Sequence, residues 1–325
     1  MKSKLTIGII AITILLVVGY FVIDNLLFDG IKPRSINEQG LIANFFANGD
    51  VENRPAIVVI GGGVGGDYWG QEFAKRNYVG LSLPYHRREG LPDLMEEIPL
   101  EYFEKAIHWL GAQSQVDQEK IILMGASRNA ELALVIASRF PELVSGVIAC
   151  APSSISWPNA VLPFNSDSLK PSWTYQGQAI PYLPMRKIQG TEASNIETLP
   201  YWMAGLARVD EYPEAIIPVE NIGGPILLLS GKDDKIWPSA LMSDMIADRL
   251  AANDFPYDFE NAQFGEAGHL ISRSVETVGN GRVGQMNIGG KSYTFEYGGT
   301  IQGDKSAIMQ SWNKVFTFIQ KVEGE

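Results

Sequence analysis

The sequence predicts an α/β fold with a mostly parallel central sheet and helices on both faces, preceded by one apolar N-terminal helix. Three observations carry this prediction. Short unbroken apolar runs, Ala56-Ile57-Val58-Val59-Ile60, Val79-Gly80-Leu81-Ser82-Leu83 and Ile121-Ile122-Leu123-Met124, alternate with helix-period segments, which is the rhythm of strands buried on both faces between crossover helices. Glycine follows such runs at Gly61 to Gly66, Gly125 and Gly231, where strands turn sharply. Residues 5 to 23 carry no charge at all.

That last stretch, Leu5 to Ile23, is about 19 residues long and as a helix reaches roughly 28 Å, the thickness of a bilayer core. Lys2 and Lys4 precede it while Asp24 and Asp29 follow, so the expectation is a single-pass signal-anchor with the short N-terminus in the cytoplasm and the body outside it. The competing reading is secretion after signal cleavage. It is disfavoured because the apolar run is long and Gly19-Tyr20-Phe21-Val22 is a poor small-residue cleavage site. No cysteine lies close behind the run, so lipoprotein anchoring does not apply. The expected organisation is a membrane anchor over 1–29, a stalk and entry segment, with an entry strand, over 30–50, and a catalytic body over 51–325 that carries a cap-like insertion at 153–220.

The rest of the composition suits that body. With 46% apolar and 19% charged residues in 325, the chain has material for a sizeable core. A net charge of −11 argues against a nucleic-acid partner, because phosphate binding needs clustered Lys and Arg. The single cysteine, Cys150, has no partner for an internal disulfide, and no Cys/His cluster has zinc spacing. No metal or cofactor is implied.

Within the body, Phe103, Ala106, Ile107 and Leu110 fall on one face of a helix. Glu131 to Phe140 reads as the next helix and Val144 to Ala149 as a strand, so a strand–turn–helix–strand unit is centred on Ser127. Residues 153–220 break the rhythm with Trp157, Pro163, Trp173, Tyr175 and Trp202, the composition of a cap over the sheet edge. The pattern resumes with a strand at Ile226 to Leu229 and a helix from Ala240 to Ala251, and it closes with a helix from Ala307 to Val322. Residues 274–300 read as a hairpin or a long loop.

A serine hydroxyl needs a base, an acid to orient that base, and donors for the oxyanion. Ser127 stands in Gly125-Ala126-Ser127-Arg128-Asn129, directly between a buried strand and a helix, the context of a nucleophile elbow. Asn129 occupies the place usually held by glycine, and asparagine tolerates unusual backbone angles better than most residues. Of three histidines, His108 falls on a polar helix face and His86 in a charged loop. His269, framed by small residues in Gly265-Glu266-Ala267-Gly268-His269, is the candidate general base. Asp234 in Gly231-Lys232-Asp233-Asp234 is the favoured acid, with Asp233 the alternative. Backbone N–H groups of Arg128 and of Gly63 or Val64 are the candidate oxyanion donors. The glycine run lacks a Gly-Lys-Ser/Thr ending, which disfavours a phosphate loop. The order Ser, Asp, His is that of the α/β-hydrolase fold.

These residues resemble a known family, the C-terminal catalytic domain shared by acyl-CoA thioester hydrolases and bile acid-CoA:amino acid N-acyltransferases. The likeness extends beyond the site, through Leu91-Pro92, Glu101 to Ile107, Ala130 to Leu134, Tyr175 to Pro181, Ile217 to Glu220, Trp237, and Gly268 to Ile271. The resemblance implies a triad of Ser127, Asp234 and His269. Serine stands where the acyltransferase branch uses cysteine, which implies hydrolysis of a small-molecule acyl ester or thioester. A carboxylesterase or peptidase of the same fold acting outside the cytoplasm is the alternative within enzymes, and a non-catalytic hydrolase-like binding protein the alternative outside them.

Overall fold

The computed structural model describes residues 2–28, 30–159, 169–185, 194–277, 282–288 and 291–324. In chain order the elements begin with α1 (Lys2–Phe28), β1 (Arg34–Glu38), β2 (Leu41–Phe46), β3 (Arg54–Ile60), α2 (Gly63–Ala74), β4 (Val79–Leu83), β5 (Ile98–Pro99) and α3 (Glu101–Gly111). They continue with β6 (Val116–Ala126), α4 (Arg128–Arg139), β7 (Gly146–Cys150), β8 (Trp173–Tyr175), β9 (Gln178–Ala179), β10 (Asn195–Ile196) and α5 (Leu199–Leu206). Then follow β11 (Ile226–Gly231), α6 (Ser239–Ala252), β12 (Phe259–Phe264), β13 (Val283–Ile288), β14 (Lys291–Glu296) and α7 (Ile301–Glu323).

An eight-stranded sheet runs in the order β1-β2-β4-β3-β6-β7-β11-β12. From β4 to β12 every neighbouring pair is parallel, whereas β1 and β2 form an antiparallel hairpin on one edge. The parallel strands are apolar without alternation because both of their faces are covered. Val58 and Leu123 face a core shared with Phe103, Leu110, Leu132, Ile136 and Leu250 of α3, α4 and α6. Their neighbours Val59, Ile122 and Met124 face Trp69, Phe73, Val315 and Ile319 of α2 and α7. The helix expected from Phe103, Ala106, Ile107 and Leu110 is α3, and those four side chains are its buried ones.

Two differences from the sequence expectations have physical causes. The segment read as a stalk with one entry strand supplies two strands, β1 and β2, whose residues Ile36, Leu41, Ala43 and Phe45 are buried against the sheet. The last helix begins at Ile301 rather than Ala307, because Thr300 caps it, its hydroxyl accepting from Gly303 N at 2.9 Å, before any apolar periodicity is visible. The expected membrane span over 5–23 gains no support: among the described residues no helix is long and apolar enough to cross a membrane. The side chains of α1 that are described belong to residues 8–23 and 26.

Residues 274–300 contain the antiparallel hairpin of β13 and β14. Residues 160–168 and 186–193 of the insertion, Pro163 among them, lie outside the described residues. The remainder of the insertion packs Ile155, Trp157, Leu183 and Trp202 onto Trp237 and Met242 beside α6. It also adds β8 to β5 in a small three-stranded sheet.

Candidate active site

Because β3, β6, β7, β11 and β12 are parallel, the turns that leave their carboxyl ends share one edge of the sheet. That edge receives Gly61 to Gly66 after β3, Ser127 after β6, Asp234 after β11 and His269 after β12. Topology thus gathers at one sheet edge residues more than a hundred positions apart in sequence.

Ser127 has φ 59° and ψ −127°, outside the regions a residue with a Cβ occupies at no cost. Two contacts hold it there. Its N–H donates to Cys150 O at 2.9 Å, tying the turn to β7. Gly125 lets α4 come so close that a Cβ there would lie 2.1 Å from Asn129 O. The serine is half-buried, and among the described residues its hydroxyl makes no hydrogen bond.

Asp234 is 5% exposed and His269 9% exposed, and Nδ1 of the histidine stands 2.8 Å from Oδ2 of the aspartate. A carboxylate only accepts, so Nδ1 carries the proton and Nε2 is left as the basic nitrogen. Oδ2 also accepts from Ser239 Oγ at 2.6 Å, while Oδ1 accepts from Ile236 N at 2.9 Å and Trp237 N at 3.3 Å. Fixed through four donors, the acid has one orientation. Asp233 faces elsewhere and accepts from Gly299 N at 2.8 Å.

The candidate base is fixed by its backbone. His269 N donates to Tyr297 O at 2.9 Å, Gly268 N donates to Asp304 Oδ1 at 2.8 Å, and Thr300 N donates to Glu266 O at 2.8 Å. The ring stacks on Tyr297, 13° from parallel, and meets Trp237 edge-on. Gly231 keeps acid turn and base loop together, since a Cβ there would sit 2.2 Å from Gly268 O.

The candidate oxyanion donors are first-turn amides of two helices. Gly62 (φ 56°) and Gly63 (φ 68°) turn the chain directly from β3 into α2, so the amides of Gly63 and Val64 precede the first intrahelical bond, Gly66 N to Gly62 O. Arg128 N likewise opens α4. His86 and His108 play no part in the acid–base pair. The first is half-buried against Tyr85 with its imidazole held below the usual histidine range by burial and by Arg87, and the second is exposed on α3.

The side chain of Arg128 ties the elbow to the insertion. It pairs with the fully buried Glu131 at 2.5 Å and donates to Trp157 O, Pro158 O and Ser172 Oγ. Glu131 Oε1 accepts from Trp157 N and from Trp173 Nε1, both at 3.0 Å. Burial pushes the Glu131 carboxyl up to about 7, against the pull of Arg128 and of the two tryptophan N–H donors. Sequence reasoning missed this role, as it missed Ser239 and Tyr297. The spacing of Arg128 and Glu131, three apart on a helix, was its only visible signal. Tyr297 acts through a carbonyl, which no residue type advertises.

A cavity of about 480 Å³ opens beside the turn, lined by Gly62, Val64, Met124, Gly125, Ala126 and Asn129 among others. Among the described residues no group of His, Cys, Asp or Glu is arranged to hold a metal.

Comparison with known proteins decides the family. Residues 98–325, well over half of the chain, match the family described as BAAT / Acyl-CoA thioester hydrolase C terminal. The chain belongs to this family. Among related members of known name, human acyl-coenzyme A thioesterase 6 is 24% identical over 90% of this chain and 66% of its own length. Mouse mitochondrial acyl-coenzyme A thioesterase 2 is 25% identical over 91% of this chain and 61% of its own. The chain thus spans somewhat under two thirds of the curated relatives it matches. The fold is shared with a dienelactone hydrolase-like promiscuous phosphotriesterase from metagenomic libraries, with a TM-score of 0.53 and 13% identity over 90% of this chain and 99% of the other. That likeness establishes an α/β-hydrolase-like architecture for this family member.

Proposed function

We propose that this chain is a serine hydrolase that cleaves acyl esters or thioesters, acyl-CoA-like thioesters first among them, through Ser127, His269 and Asp234. The observation that carries the reading is the buried Asp234–His269 pair on the sheet edge that also holds Ser127 in a strained turn. Family membership supports the thioester class.

In this mechanism Nε2 of His269 takes the proton of the Ser127 hydroxyl as Oγ attacks the acyl carbon. The carbonyl oxygen becomes an oxyanion facing the amides of Arg128 and of Gly63 or Val64. The C–S or C–O bond breaks, and His269 returns its proton to the leaving group. A water then gives a proton to His269, attacks the acyl-serine, and releases the carboxylic acid with Ser127 restored. Asp234 stabilises the imidazolium without taking its proton.

The deciding experiment is labelling of residues 30–325 with a fluorophosphonate and mapping of the adduct. The expected label sits on Ser127, disappears in Ser127→Ala and weakens in His269→Ala. A folded protein that does not label removes the hydrolase reading.

Membrane attachment through residues 5–23, with the body outside the cytoplasm, is a separate proposal that rests on the uncharged apolar run and the flanking charges. Its test is alkaline extraction of membranes carrying the full chain or one lacking residues 2–28. Retention of the full chain alone supports it, and release of both overturns it.

A further inference from the structure

Asn129 stands where a nucleophile elbow ordinarily has glycine, and the structure gives this substitution a place. Gly61, at φ 100°, makes room for it: a Cβ on Gly61 would lie 2.2 Å from Asn129 Nδ2 and 3.0 Å from Oδ1. The Tyr85 hydroxyl, on a fully buried ring, donates to Asn129 Oδ1 at 2.8 Å. A phenol can give only one proton, and burial pushes that of Tyr85 far above the usual tyrosine range, so the donor is permanent. The side-chain amide is therefore oriented, with its oxygen toward Tyr85 and its NH2 toward the glycine loop.

That NH2 is unused. Among the described residues Asn129 Nδ2 makes no hydrogen bond, and it is not among the buried polar atoms without a partner, so it remains open to a ligand. Asn129 lines the cavity beside Ser127 together with Ile60, Gly62, Met124, Gly125 and Ala126, while Ser272, Arg273, Ser274 and Thr277 line it as well and offer a cation and hydroxyls for the carboxylate common to both test acids. The two N–H groups of an oriented amide among the apolar residues Ile60 and Met124 are a recognition device, because a ligand oxygen satisfies them and a purely hydrocarbon chain leaves them unpaired.

We propose that Asn129 is a specificity-determining residue of the acyl cavity and selects acyl chains that bear an oxygen, a hydroxyl or a keto group, over plain saturated chains. The proposal rests on the acyl-hydrolase reading for its biological meaning, but not for its test. The volume of about 480 Å³ suits a short or medium chain.

The test is calorimetric binding of two product acids, 3-hydroxyoctanoate and octanoate, to the wild-type chain and to Asn129→Gly and Tyr85→Phe. The wild type is expected to bind the hydroxy acid about 5- to 10-fold more tightly, the worth of one net hydrogen bond. That preference falls to about 1 in Asn129→Gly, which restores the usual elbow residue, and shrinks in Tyr85→Phe, which leaves Asn129 present but unoriented. Equal binding by the wild type, or a preference that survives in both variants, overturns the proposal. Should one variant fail to fold, the other alone decides. Absence of fluorophosphonate labelling would sink the hydrolase reading and leave this binding comparison standing, so the two failures are distinguishable.

Discussion

Oδ2 of Asp234 is shared between His269 Nδ1 at 2.8 Å and the Ser239 hydroxyl at 2.6 Å. The acid that orients the imidazole is itself oriented by the first residue of α6. Asp234→Asn is expected to keep the fold and lower kcat by about 10⁴, because the amide stabilises the wrong imidazole tautomer. Ser239→Ala is expected to cost about 10-fold, since one of four donors is lost. Steady-state turnover of an activated ester, with circular dichroism as the folding control, checks both.

Glycine at 231 is a matter of clearance. A methyl group there would meet the carbonyls of Gly268 and Ala267, 2.2 and 2.3 Å away, and would push the base loop from the acid turn. Gly231→Ala should destabilise the fold by about 2 to 4 kcal/mol and lower labelling of Ser127. A urea denaturation curve and labelling rates together measure this, and wild-type values for both would contradict the contact.

Glu131 gives a stability term that depends on pH. Its folded carboxyl titrates near 7, above its ordinary value of 4.5, chiefly through burial. The native state therefore holds a proton that the unfolded chain has lost, and the contribution to stability is full below about 4.5 and is lost as the pH rises through about 7. The urea midpoint is expected to fall between pH 5 and pH 8, and Glu131→Gln should flatten that slope. Glu131→Ala should cost about 3 kcal/mol at pH 8, where it removes the anion beside the half-buried Arg128 guanidinium and the acceptor of Trp157 N and Trp173 Nε1, and less at pH 5, where the carboxyl is already largely protonated.

Cys150 is expected to be inert in the native protein. Burial pushes its thiol up to about 12, and the side chain is 1% exposed at the end of β7, so almost no thiolate forms or meets a reagent. Titration with a thiol reagent should show no reaction in buffer and one equivalent in urea. Rapid native labelling would refute the packing around β7.

Much of the fold was legible because parallel strands buried on both faces announce themselves as unbroken apolar runs, and α3 and α4 as helical periodicity. An entry strand in residues 30–50 was legible but its partner in the hairpin was not, since Arg34, Ser35, Asn37 and Glu38 hide the single buried side chain of β1. At the candidate site, the placement of Ser127, Asp234 and His269 on one sheet edge and the pairing of Asp234 with His269 were legible from residue type, chain order and strand context. The Tyr85–Asn129 contact spans 44 residues and depends on a space left by Gly61, and neither a missing Cβ nor a backbone carbonyl such as that of Tyr297 leaves a trace in local sequence pattern.

The hairpin of β13 and β14 brings a temporal consequence. Ser127 gains its elbow from β6, β7 and α4, all made early, but His269 hangs on Tyr297 and its preceding loop on Thr300 and Asp304. Under the proposed assignment, the candidate nucleophile is therefore synthesised long before the residues that position the candidate base. A polypeptide stopped short of residue 297 would lack the carbonyl that accepts from His269 N, and under the proposed mechanism such a chain is expected to be inactive however well its earlier strands are formed.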